Sequence, residues 1–112
     1  MSGKRPLSAL KTRASVFAAL GDETRLSVLT KLCNGKPQSI SRLTDGTDLT
    51  RQAVTKHLRV LAAAGVVRCT RLGRESLFAL EPKPLAEASA YLDQVSKQWD
   101  EALARLKSFV EE

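Results

Sequence analysis

A chain of 112 residues with 43% apolar and 27% charged side chains has the balance of one folded domain, which excludes a disordered chain and leaves no room for a catalytic module beside a regulatory one. Eighteen Lys and Arg against 12 Asp and Glu leave a net charge of +6, unevenly placed: residues 1–80 hold 14 basic and 5 acidic side chains, net +9, and residues 81–112 hold 4 and 7, net −3. A cationic region of that kind suits a polyanion such as nucleic acid, which it holds by displacing counterions. Folding at this length buries only about 60 to 70% of the surface that the unfolded chain exposes, so the core is thin and self-association is expected.

In chain order, a short basic arm over residues 1–6 precedes a first helix. Leu7, Leu10, Ala14 and Phe17 line one of its faces at spacings of three and four, and it ends near Gly21. Asp22 offers a carboxylate N-cap to a second helix, Glu23 adds negative charge in its first turn, and Leu26, Leu29, Leu32 and Cys33 form its apolar stripe up to Asn34-Gly35. Lys36-Pro37 resets the chain, and Ser39 caps a short third helix with Ile40 and Leu43 before Asp45-Gly46 breaks it.

The fourth helix, over about residues 50–64, is marked at both ends. Thr50 is its N-cap, Leu49 and Val54 are spaced for a hydrophobic staple, Gly65 stands at C′, and Val66 at C″ can touch Leu61. Val66 to Arg71 and Ser76 to Leu80 then read as two strands around a Leu72-Gly73-Arg74 turn. After Glu81-Pro82-Lys83-Pro84, a last helix over residues 84–111 carries Leu85, Ala88, Leu92, Val95, Trp99, Ala102, Leu106 and Phe109 in alternating steps of three and four. That heptad seam runs about 40 Å, longer than so small a domain can cover, and a second subunit is expected to cover the rest. Tyr91, Leu103 and Val110 add a second apolar edge.

The expected fold is therefore a single domain, mainly α with a small β-hairpin (α+β), in the order ααααββα. Residues 38–64 form a helix-turn-helix, residues 66–80 a basic wing, and residues 84–111 a pairing helix. At 100° per residue Val54, Leu58 and Leu61 cluster on one side of the fourth helix, while Arg51, Thr55, Arg59, Gln52 and Lys56 fall across an arc of roughly 140° on the other. No Asp or Glu occurs from Thr50 to Arg74, where a merely solvated face would interleave both signs. Arg51, Gln52, Thr55 and Lys56 are the types that meet base edges, and Thr50, Arg59, Arg71 and Arg74 are placed to hold phosphates of double-stranded DNA.

Ala19-Leu20-Gly21-Asp22-Glu23-Thr24-Arg25, the stretch LTRQAVTKHLRVLAAAGVV from Leu49 to Val67 and the hairpin RLGRESLFAL together resemble the ArsR/SmtB family of bacterial winged-helix repressors. The resemblance covers roughly residues 14–111. It implies a homodimer built on the first and last helices, with Leu10, Phe17, Leu85, Leu92, Val95, Trp99, Leu106 and Phe109 as candidate interface residues. It also implies reading helices in successive major grooves of an inverted-repeat operator, and wings along the flanking backbone. Many relatives bind metal, but the third-helix thiolate pair of some members is replaced around Lys36-Pro37-Gln38-Ser39-Ile40-Ser41, and the last helix contains no His for the other familiar site.

No metal site and no cofactor are expected. The sole histidine, His57, lies on the flank of the fourth helix, suited to packing or a phosphate rather than to a metal, which needs several soft ligands. Cys33 and Cys69 have no second Cys nearby in sequence, so small buried thiols in a reducing cytoplasm are expected. One His and no Gly-rich phosphate loop leave nothing to run a reaction, so an enzyme is not expected. No signal peptide or membrane span is legible. The rival reading is an adaptor that turns the same winged helix toward protein or RNA, which would call for exposed apolar anchors on the fourth helix. The sequence names no effector.

Overall fold

Local capping chemistry sets most of the element boundaries. In the computed structural model, which describes residues 4–111, the order is α1 (Lys4–Leu20), α2 (Glu23–Lys31), β1 (Gln38–Ser39), α3 (Ile40–Thr44), α4 (Arg51–Ala63), β2 (Val67–Leu72), β3 (Glu75–Leu80) and α5 (Pro82–Glu111). Asp22 accepts from the Arg25 amide, Ser39 from that of Arg42 and Thr50 from that of Ala53, so α2, α3 and α4 each begin where a short polar side chain satisfies an orphan donor. α4 ends in a Schellman arrangement: the Val66 amide bonds Leu61 O at 3.1 Å and the Gly65 amide bonds Ala62 O at 2.9 Å. Gly65 sits there at φ 81°, a conformation that a side chain would strain.

Helix α1 starts at Lys4, inside the stretch expected as an arm. Residues 1–3 and the Leu7 side chain lie outside the described residues. Its C-terminal carbonyls are tied to α2 by Arg25, whose Nε donates to Ala19 O at 2.7 Å and whose Nη2 donates to Ala18 O at 3.3 Å. Arg25, which ends the Ala19-to-Arg25 motif, is thus a bolt between two helices.

Val16, Val28, Leu32, Leu43, Val54, Leu58, Leu61 and Val66 are fully buried and hold α1, α2, α3, α4 and the wing's root together. Two features of α2 differ from the expected stripe. Leu26 is exposed and Val28 takes the buried place, because α1 and α4 flank the helix on the Val28–Leu29 side. Cys33 lies beyond the helix end, where Leu32 fills the core position, so its thiol is exposed rather than buried. Cys69 is exposed too, because only Val67 of β2 reaches the core.

The hairpin pairs β2 with β3 antiparallel, from Val67 opposite Leu80 to Leu72 opposite Glu75. Its loop is the two residues Gly73 and Arg74, tighter than the expected three, with Gly73 at φ 64°. The sequence reading missed β1, which pairs Gln38 with Phe78 and Ser39 with Leu77 and makes the sheet three-stranded in the order β1-β3-β2. This short strand fastens the start of α3 to the wing.

Helix α5 is 30 residues long and begins two residues earlier than expected, with Pro82 in the first turn, where a missing amide costs nothing. Only its first turns belong to the subunit's own core: Ala88 is buried, and Leu85 packs against the same cluster. Tyr91 meets Phe17 of α1 with ring centroids 6.1 Å apart, under the Arg13 guanidinium. Beyond that point α5 projects, and the radius of gyration is 18.2 Å where a compact chain of this size has about 13 Å. Among the described residues no helix is long and apolar enough to cross a membrane.

Candidate nucleic-acid interface

Helix α4 is split lengthwise. Val54, Leu58 and Leu61 are sealed in the core, which fixes the rotation of the helix, and Arg51, Gln52, Lys56 and Arg59 are consequently held out in water on the opposite side. Thr55 lies between them, half-buried, with its hydroxyl donating to Arg51 O at 2.7 Å. That bond occupies the Thr55 proton, so in the groove it lines Thr55 has its methyl group to offer, the kind of group that meets a thymine methyl. Thr50 accepts the Ala53 amide at 3.0 Å, so its own O–H proton stays available to donate to a phosphate oxygen.

Arg51, Gln52, Thr55 and Arg59 line one shallow groove together with Ile40 of α3. Arg51 also lines a second cleft with Arg74 from the wing, so the reading helix and the hairpin form one cationic surface. Arg71 stands exposed on β2 beside it. Arg68, by contrast, is spent on Glu81 at 3.3 Å. All eight residues expected to meet DNA are therefore on the α4 and wing surfaces, six of them as exposed cations or amides. The second cleft adds Ser41, Glu75 and Ser76, which sequence reasoning passed over: two serines and one acid in separate elements give no periodic signal, and only the β1–β3 pairing brings them together.

His57 turns from this surface toward the subunit's interior. Its Nδ1 is buried, without a hydrogen-bond partner, 3.9 Å from an Asp22 carboxylate oxygen. Of the two roles open to it from sequence, this position serves packing of α4 on the start of α2. The Asp22 carboxyl is held below its ordinary value chiefly by the Arg25 amide; desolvation, the next-largest influence, opposes it, and the Arg25 and His57 charges and the Thr24 amide lower it further. Among the described residues no group of three or more His, Cys, Asp or Glu side chains is placed to hold a metal ion.

The candidate interface residues divide into two sets. Phe17 and Leu85 are partly buried and pack against the subunit's own core, and Phe17 also lines a surface cleft with Leu10 and Tyr91. Leu10, Leu92, Trp99, Leu106 and Phe109 are exposed and Val95 is partly so, with Trp99 at 62% and Phe109 at 77% of their full surface in water.

A buried-face helix in a helix-turn-helix, its polar face continuous with a basic two-stranded wing, defines a winged-helix DNA-binding protein. Comparison with known proteins agrees. A helix-turn-helix domain family matches residues 20–70. The HTH-type transcriptional regulator Rv2034 of Mycobacterium tuberculosis is 30% identical over 97 residues, 87% of this chain and 87% of the relative. The HTH-type transcriptional repressor SmtB of the same species is 30% identical over 98 residues, 88% of this chain and 70% of the relative. A solved ArsR-like transcriptional regulator from Rhodococcus sp. RHA1 superposes with a TM-score of 0.74 at 38% identity, over 91% of this chain and 95% of that one. The chain belongs to the ArsR/SmtB family of winged helix-turn-helix, DNA-binding transcriptional regulators.

Proposed function

We propose that the protein is a homodimeric repressor that acts in the cytoplasm, binds an inverted-repeat operator and competes with polymerase for promoter DNA, without a metal, cofactor or catalytic step. The observation that carries this reading is the acid-free outward face of α4, which runs into the wing through the cleft shared by Arg51 and Arg74. Dimerisation is supported by the apolar side of α5 beyond Tyr91, since burying one large apolar side chain gains about 1.5 to 3 kcal/mol and at least five such side chains stand uncovered there. Pairing through α5 leaves both α4 faces free. Two reading helices related by a dyad then address half-sites about 10 to 10.5 base pairs apart.

In this reading Arg51, Gln52, Thr55 and Lys56 contact base edges, while Thr50, Arg59, Arg71 and Arg74 hold the backbone. The test is a selection of bound duplexes followed by affinity measurement at several salt concentrations. An inverted repeat should emerge. Arg51→Ala or Gln52→Ala should cost about 1 to 3 kcal/mol and relax preference at one base pair, whereas Arg71→Ala with Arg74→Ala should weaken all duplexes alike and flatten the salt dependence. Selected sequences without dyad symmetry, or wing variants that keep the full salt slope, would overturn the assignment.

A further inference from the structure

We infer that the cleft at the wing root seats one backbone phosphate, and that Glu75 on its rim limits how tightly the protein holds any duplex. This deepens the proposed DNA-binding role and rests on it. The cleft encloses about 190 Å³ and is lined by Ser39 of β1, Ile40 and Ser41 of α3, Arg51 of α4, and Arg74, Glu75 and Ser76 of the wing. With the Ser39 side chain used as the α3 cap, the Arg74 guanidinium, the neighbouring Arg51 charge and the Ser41 and Ser76 hydroxyls border one space suited to a tetrahedral anion, and neither guanidinium is engaged in an ion pair among the described residues. β1 pairs with β3 only at Leu77 and Phe78, so the β3 edge at Ser76 has no strand partner where it borders the cleft. An edge left open against two cations can donate its amide N–H to a phosphate oxygen.

Glu75 does not fit a surface selected only for strength. It is the one acid between Asp48 and Glu81, among six Lys and Arg. It is exposed, and neither of the ion pairs among the described residues, His57–Asp22 or Arg68–Glu81, involves it. Its charge is therefore not consumed inside the subunit and faces whatever enters the cleft. A phosphate seated there gains directly from Arg74, and at longer range from the charge of Arg51 on its way to the base edges, and is opposed by Glu75, independently of base sequence. The carboxylate lowers occupancy of random DNA and leaves the ranking of sequences untouched.

The experiment uses the full chain and a duplex of about 30 base pairs of arbitrary sequence, titrated between about 50 and 200 mM salt, where backbone contacts dominate. Glu75→Gln should bind about five- to tenfold tighter at the low end, with the advantage shrinking as salt rises, because neutralising one like charge near a phosphate acts through a screened Coulomb interaction. Ser41→Ala with Ser76→Ala should bind more weakly on every duplex while keeping the log–log salt slope, because the lost donors are neutral and the cationic contacts remain. Unchanged thermal melts exclude a folding effect. If Glu75→Gln is neutral or binds more weakly while the wild-type protein binds duplex normally, the cleft assignment is wrong and the DNA-binding reading stands. If the wild-type protein holds no duplex, both fall.

Discussion

Helices α4 and α5 are both amphipathic, yet they spend their apolar faces in opposite ways. In α4 Val54, Leu58 and Leu61 are sealed within the subunit, and the face opposite them, from Arg51 to Arg59, is cationic and polar, with the one exposed large apolar side chain, Val60, near the C-terminal end. In α5 only Ala88 is fully buried, and from Leu92 onward the apolar side stands in water. A helix whose inner face is satisfied at home can present its outer face as a fixed template. A helix whose apolar face is left open presents a surface for a partner, and in the proposed dimer that partner is the second copy.

The comparison is broken most forcefully at α5. If the proposed dimer pairs through α5, Trp99→Glu with Leu106→Glu should yield a folded monomer, read by analytical ultracentrifugation with unchanged circular dichroism per residue. Affinity for an inverted repeat should fall by about 100-fold or more, because the second half-site then has to be bound by an independent molecule. A variant that stays dimeric would move the interface off this seam.

A smaller effect sharpens the α4 side. Leu61→Ala removes a side chain with no exposed surface from the core cluster it shares with Val66, and should destabilise the protein by about 2 to 5 kcal/mol. For a domain of this size that lowers Tm by about 10 °C or more, measured at fixed protein concentration because dimerisation enters the midpoint. Leu103→Ala on the exposed side of α5 should leave the isolated subunit's packing untouched and act only on assembly.

The contrast between the two helices also explains what the sequence could disclose. α4 was legible end to end because its signals are local: Thr50 and Ala53 are three residues apart, and Leu61, Gly65 and Val66 fit within one turn and its exit. The heptad pattern of α5 was legible for the same reason. Its division into a part covered by α1 and a part left open was not, since that depends on Phe17 meeting Tyr91 across 74 positions of chain. β1 was hidden likewise, as two residues become a strand only when Leu77 and Phe78 arrive beside them. Leu26 and Cys33 misled because a stripe drawn on one helix does not say which flank its neighbours occupy.

The smallest effect tests the floor on which α4 stands. Asp22 caps α2 and faces His57 of α4 at 3.9 Å, so one carboxylate links the start of one helix to the inner flank of the reading helix. Its folded-state pKa is depressed, first by the Arg25 amide. A depressed carboxylate pKa stabilises the fold above its unfolded value, near about 3.9, and that stabilisation is lost as pH falls through the lower, folded value. The wild-type melting temperature should therefore decline through this acid window. Asp22→Asn keeps a competent N-cap while removing the charge, so it should flatten the decline there with only a small change near neutrality; Asp22→Ala should lose the cap at every pH. A profile unchanged by Asp22→Asn would assign the acid sensitivity to other carboxylates and leave α4 anchored by its apolar face alone.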